Sequence, residues 1–132
     1  MDWSVCLLFN KTHDKVLLQA NQRGKWIAIK AHVQKGAKPI EAAIARINGL
    51  MHMDIKAVDV LPITSTSLLS VYTTFHTYAA CVEEQEPEQH YLRWFSVQDI
   101  LEEGVSSNWL DGDGAIQYNV MMSLKRLAGA VE

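Results

Sequence analysis

No stretch of this sequence approaches the roughly 20 consecutive apolar residues that a helix needs to cross a bilayer. The N-terminus has no basic segment running into an apolar one, so no secretory leader is expected. Charge of either sign is modest. Aspartate and glutamate outnumber lysine and arginine by 15 to 12, a formal charge of −3, which excludes a surface wholly given over to nucleic acid and leaves room for a local basic patch. Neither a membrane nor nucleic acid is the expected partner, and a cytoplasmic location is the expectation. Cysteine is scarce. Cys6 and Cys81 lack metal-ligand spacing or a partner motif, and in strand-like runs they read as core thiols rather than a disulfide. A calcium loop is missing as well, because Asp111-Gly-Asp-Gly114 lacks the third acid and the terminal Glu of an EF-hand. It reads as a turn into a helix, with Asp113 or Gly114 near the helix start.

What is present is apolar and patterned. With 132 residues, 48% of them hydrophobic, residues 1–132 are expected to form one globular domain with a real core. Trp3 to Phe9 is an apolar run of strand length, Asn10 to Lys15 reads as a turn, and Val16 to Gln19 as a second strand, together a hairpin. Pro39 suits the first turn of a helix, where its missing N–H costs nothing. Ile40, Ala43, Ile44, Ile47, Leu50 and Met51 then recur at helical spacing, predicting a helix from about Pro39 to His52 that packs on a sheet. Glu41, Ala45, Asn48 and His52 fall on its other side, flanked by Ala42, Arg46 and Gly49. Gly49 in a helix interior costs roughly 1 kcal/mol relative to Ala. Either something approaches the backbone there, or the surface has no side chain to present.

Beyond the helix a strand is predicted over Val58 to Thr64, with a polar turn at Ser65 to Ser67. A period-two pattern follows, placing Val71, Phe75, Ala79 and Cys81 on one face and Tyr72, Thr74, His76 and Tyr78 on the other. Glu83, Glu84, Glu86 and Glu88, interrupted by Pro87, read as a solvated loop. A last helix, from about Ala115 to Ala128, carries Ile116, Val120, Leu124 and Leu127 as a core stripe flanked by Met121.

The segment Trp26 through Met53, WIAIKAHVQKGAKPIEAAIARINGLMHM, resembles a Nudix box without its acids. The family pattern is roughly G-x5-E-x7-R-E-U-x-E-E-x-G-U, with U a bulky apolar residue, after a W-x-x-P-G-G lead-in. Aligned from Trp26, the lead-in Pro-Gly-Gly falls on Ile29, Lys30 and Ala31 and the first Glu on Ala37. The Arg-Glu pair falls on Ala45 and Arg46, the Glu-Glu pair on Gly49 and Leu50, and the late Gly on His52. The two U positions keep their character as Ile47 and Met53. The opening hairpin, Arg23 ahead of Trp26, and Arg93-Trp94-Phe95 followed by Asp99-Ile100-Leu101 are similar to the family across nearly the whole chain.

The resemblance implies an α/β (α+β) fold, an α/β/α sandwich around a central mixed β-sheet, with the box helix on one side and the C-terminal helix on the other. It also bears on chemistry. Hydrolysis of a diphosphate linkage in this family needs Mg²⁺ or Mn²⁺, and hard cations are held by carboxylate oxygens. No carboxylate stands at an aligned motif position, Glu41 falls in the spacer, and Arg46 replaces a metal-binding Glu with a fixed cation. The expectation is therefore a protein without ordinary metal-dependent hydrolysis and with no metal cofactor.

The resemblance implies that Arg23, Lys30, His32 and Arg46 surround the phosphate position, with Lys35 and Lys38 on a nearby loop, and makes Tyr72, His76 and Tyr78 candidate nucleoside contacts. These residues would bind a nucleotide-like or other phosphorylated small molecule. Each also reads as an ordinary surface cation or a damp strand face. Two alternatives stand beside the binder. One is a hydrolase of nucleoside diphosphate derivatives that uses relocated acids, Glu41, Glu83, Glu84 and Glu86, with Mg²⁺ or Mn²⁺. The other is a protein-interaction scaffold with a vestigial pocket, in which Trp3, Trp109 or exposed methionines form the contact surface. The resemblance leaves a homodimer open.

Overall fold

The computed structural model describes residues 2–68, 73–103 and 124–125. The opening hairpin forms as expected from β1 (Asp2–Asn10) and β2 (Lys15–Ala20), which pair antiparallel at Leu8 with Leu17 and Phe9 with Val16. Asn10 fastens the turn: its side-chain N–H donates to Asp14 at 2.6 Å, and its side-chain oxygen accepts the Lys15 N–H at 3.1 Å. The second turn is organised by Asn21, whose side-chain oxygen accepts the Arg23 and Lys25 N–H groups at 2.9 and 3.0 Å. Gly24, at φ 75°, supplies the left-handed residue that this turn requires.

The chain then enters β3 (Trp26–Val33), a strand not anticipated over the motif's lead-in. Its period-two pattern is present in the sequence, with Ile27, Ile29 and Val33 alternating against Ala28, Lys30 and His32. β3 pairs with two strands in succession. Trp26 to Ala28 pair with β2, and Ile29 to Val33 pair with β1. From Ile29 onward, no described strand pairs with the β2-side edge of β3.

β4 (Val60–Leu68) and β5 (Thr73–Val82) complete one side of the sheet, β4 antiparallel to β5 and β5 parallel to β1. β6 (Leu92–Ser96) closes the other side against β2, giving the mixed order β4-β5-β1-β3-β2-β6. The strand expected over Val58 to Thr64 is thus shifted. A 3-10 turn occupies Ala57–Asp59, and β4 continues through Ser65 to Ser67, where a turn was expected. Those hydroxyl residues pair with His76, Phe75 and Thr74, and cross-strand pairing overrides their turn preference.

Residues 4–10 of β1 are all buried, because both faces of the strand are covered; this explains an apolar run rather than an alternation. Cys6 and Leu8 pack beneath α1 (Pro39–Met51) with Ala43, Ile47, Leu50 and Met51. Val5, Leu7 and Phe9 pack on the other face with Val97 and Ile100 of α2 (Val97–Glu103) and with Leu124. The result is the expected α/β/α sandwich. α1 starts at Pro39 and stops at His52, whose left-handed φ of 53° caps the helix. Asn48 then clamps the next segment, its amide exchanging bonds of 3.1 and 2.8 Å with the backbone of Ile55. Of the expected helix over Ala115 to Ala128, only 124–125 are described; they are helical, with Leu124 fully buried. Val71, Tyr72, Trp109 and Asp111 to Gly114 lie outside the described residues. Among the described residues, no helix is long and apolar enough to cross a membrane.

Candidate functional site

α1 lies across β1 and β3, and beside it the unpaired edge of β3 leaves a groove of about 700 Å³. Ala31, His32 and Gln34 line it from β3 and the loop that follows; Glu41, Arg46 and Gly49 line it from α1. The loop turns on Gly36 at φ 85°. Helical spacing puts Ala42, Arg46 and Gly49 on one stripe of α1, which is why they share the groove wall. A Cβ built on Gly49 would meet nothing within 4 Å. No close approach explains this glycine, and it leaves that part of the groove wall bare.

Arg46 is half-buried. Its Nη2 donates to Oε1 of Gln19 on β2 at 3.4 Å, and among the described residues no carboxylate pairs with it. Among the described residues, Glu41 is the one carboxylate on the groove lining, in the first turn of the helix. A hard cation needs several oxygens converging on one point. Among the described residues, no three His, Cys, Asp or Glu side chains come together in that way. Among the described residues of the groove, a single carboxylate is too few oxygens to hold a Mg²⁺ or Mn²⁺ ion.

The other expected binding residues scatter. The register sets Lys30 opposite Val5 and His32 opposite Trp3, on the face turned away from α1. There the Lys30 Nζ lies 4.7 Å from the Trp3 ring centroid, and the His32 ring meets Trp3 edge-on at 5.3 Å. Strand alternation thus separates Lys30 from Arg46, while His32 still reaches the groove's rim. Arg23 is exposed in the β2–β3 turn and does not line the groove; Lys35 and Lys38 are exposed on the loop before α1. His76 and Tyr78 sit on β5, which lies two strand spacings, about 10 Å, from β3. His76 Nε2 faces Asp2 at 3.2 Å, and Tyr78 packs in the cluster under α1, where burial pushes its phenol pKa up.

The acids scatter too. Glu84 accepts from Asn10 at 3.1 Å and Lys15 at 3.2 Å, and these contacts, Asn10 foremost, hold its carboxyl below the usual range. Glu88 faces His52 at 3.4 Å beyond the C-terminus of α1. Glu41 lies at the other end of the helix, roughly 16 Å along the axis from His52 at 1.5 Å per residue. Glu83 lines a second cavity and Glu86 is exposed, so Glu41, Glu83, Glu84 and Glu86 do not converge. Gln19, the residue that holds Arg46, was not anticipated; its polar side chain closing an apolar strand is the signal that marks it.

With this geometry in hand, solved structures decide the architecture. A hydrolase of the NUDIX family from Clostridium perfringens matches with a TM-score of 0.64, over 96% of this chain and 97% of that one, at 18% identity. This chain has the Nudix fold. The NUDIX domain of Shewanella oneidensis NrtR, complexed with ADP ribose, matches at TM-score 0.68 over 97% of this chain and 88% of that one, at 12% identity. The C-terminal domain of mouse MUTYH, in a complex with human PCNA, matches at 0.71 over 97% and 89%, at 11% identity. Identities this low establish the Nudix fold alone. No family model and no curated protein matches the sequence.

Proposed function

We propose that this Nudix-fold protein binds a nucleotide or another phosphorylated small molecule in the groove between α1 and β3, without ordinary Mg²⁺-dependent hydrolysis. The observation that carries this reading is Arg46, a half-buried guanidinium on the groove wall whose one partner among the described residues is the neutral Gln19 at 3.4 Å. A half-buried guanidinium that faces a groove without a counter-charge among the described residues can take an anionic ligand with little further loss of hydration. The guanidinium fork also suits phosphate oxygens held two at a time. In the Nudix alignment the same position carries a metal-binding Glu, so Arg46 supplies in fixed form the positive charge that a metal would bring.

ADP-ribose is a suitable first probe, because a neighbour of the same fold holds it. The test is thermal unfolding with ADP-ribose, nucleoside diphosphates and nucleoside triphosphates, each with and without EDTA. A ligand at 100 times its Kd stabilises by about 2.7 kcal/mol, and here the shift should survive EDTA and shrink to about 0.4–1.4 kcal/mol in Arg46→Gln. No shift with any phosphorylated compound, or a shift that requires Mg²⁺, overturns the reading.

An interaction scaffold is the second reading, and it rests on Val58 and Leu61, exposed at 91% and 57% beside and on the edge strand β4. A neighbour of this fold was solved bound to another protein. A Val58→Ser/Leu61→Ser variant that loses a partner in pull-down, in a protein unmoved by every nucleotide, would favour it.

A further inference from the structure

The two cysteines have opposite surroundings. Cys6 is fully buried under α1, and burial pushes its thiol up to about 12. Cys81 is half-buried near the end of β5 and borders a cavity of about 610 Å³, formed where the β1–β2 turn and the start of β4 flank that strand. His13 lines the same cavity, with Nε2 only 2.9 Å from the Cys81 Sγ. His13 is held there by the turn: its backbone is left-handed at φ 61°, and its N–H donates to the Asn10 carbonyl at 3.1 Å.

We propose that Cys81 and His13 form a thiol-modification site for hydroperoxides, with His13 receiving the thiol proton. When Nε2 carries a lone pair, the Cys81 S–H donates to it. The sulfur then attacks the terminal oxygen of the peroxide, and the S–O bond forms as the O–O bond breaks. Sulfur is oxidised to a sulfenic acid, the peroxide is reduced to water or an alcohol, and the proton passes through His13 to the departing oxygen. Partial burial raises the Cys81 pKa while the Lys11 cation lowers it, with burial the larger effect. A thiol so placed has little thiolate of its own at neutral pH, so a proton acceptor in contact is what makes it competent. The charged groups facing the pair are Lys11 from the turn, Glu83 after β5, and Asp54 and Asp59 from the segment between α1 and β4.

The probe is hydrogen peroxide, with sulfenic acid trapped by dimedone and located by mass spectrometry. In the folded protein Cys81 should be trapped and Cys6 spared; in denaturant the two should react alike. His13→Asn keeps a residue that tolerates the left-handed turn and removes the imidazole. It should slow trapping near neutral pH by on the order of 100-fold, the usual reach of a positioned base. The gap should close in alkaline buffer, where hydroxide removes the proton, and a merely structural role for His13 would not give that convergence. Protection of Cys6 reports that the variant is folded. Equal trapping of Cys6 and Cys81 in the native protein, or a folded His13→Asn that reacts as fast as the native chain, overturns the proposal. The comparison of the two thiols needs no variant and can overturn the site even if His13→Asn fails to fold; the pH dependence of Cys81 trapping in the native chain then tests the role of His13, since a thiol without a proton acceptor should react steeply faster as pH rises from neutral.

Discussion

The flank of α1 and its C-terminal end carry opposite chemistry. Along the flank, the groove presents one guanidinium, one carboxylate and a bare glycine. Past the C-terminus, the segment 83–88 gathers four carboxylates. Counting acids would place a metal at the second site, and geometry argues otherwise. Glu84 is engaged by Asn10 and Lys15, and Glu88 by His52, so these acids tie the loop to the β1–β2 turn and to the helix end. A metal centre depends on oxygens sharing one point, and a loop rich in acids offers oxygens that point apart. The flank shows the converse. With few charges, it leaves its one half-buried cation without an anionic partner among the described residues.

The largest effect should come from the groove. Arg46→Gln removes a charge-assisted contact worth roughly 1.5–3 kcal/mol, so affinity for a phosphorylated ligand should fall about 10- to 100-fold by calorimetry. Replacing Glu83, Glu84, Glu86 and Glu88 together with Gln should leave that affinity unchanged. If the two sets of variants exchange these outcomes, the acids and not the arginine make the site, and the contrast between the two regions is lost. A sharper form restores the Nudix carboxylates. Arg46→Glu with Gly49→Glu puts two acids on one stripe of α1, and the open space over Gly49 admits the side chain. That variant should gain Mn²⁺-dependent thermal stabilisation absent from the native chain.

The next effect is on stability. Gly49→Ala in the interior of α1 should stabilise by about 1 kcal/mol, because Gly gives up more backbone entropy than Ala and the new methyl meets no neighbour. For a domain of this size, that is a Tm rise of about 4 °C. Ligand affinity should be unchanged, since a methyl leaves the groove open. A loss of affinity without a gain in Tm would show that the bare stretch of wall at Gly49 is itself part of the binding surface.

α1 and the hairpin are legible in the sequence because their patterns are local: Pro39 and a 3.6-residue stripe, or two apolar runs around Asn10 to Lys15. β3 is hidden because the motif alignment occupies the same residues, and its alternation only gains meaning once β1 and β2 pair with it. The turn expected at Ser65 to Ser67 fails for a related reason, since strand pairing with β5 is invisible locally. The site is legible in part. Arg46 follows from helical spacing, but the strand parity of β3 turns Lys30 onto the other face and leaves His32 only at the groove's rim, a distinction that the motif alignment does not make. The contact between His13 and Cys81 spans 68 positions, and no local pattern can announce it.

The smallest effect concerns acid. Asp14 is held below the usual carboxylate range by hydrogen bonds from Thr12 first and Asn10 second, and Glu84 by Asn10 first and Lys15 second. A carboxyl whose folded pKa is depressed binds protons more readily in the unfolded chain. Its stabilisation is therefore present above the ordinary carboxylate range and is lost as pH falls through that range to the lower folded values. Both groups are open to solvent, so the contribution should be modest and should shrink in high salt. Glu84→Gln should flatten the acid limb of a Tm-against-pH curve and leave the neutral limb nearly in place. Ligand affinity at the α1 flank should not follow that limb, because the network sits at the β1–β2 turn and none of its residues lines the groove. If affinity fell with it, the two regions would be coupled, and the acidic loop would have to be counted as part of the binding site after all.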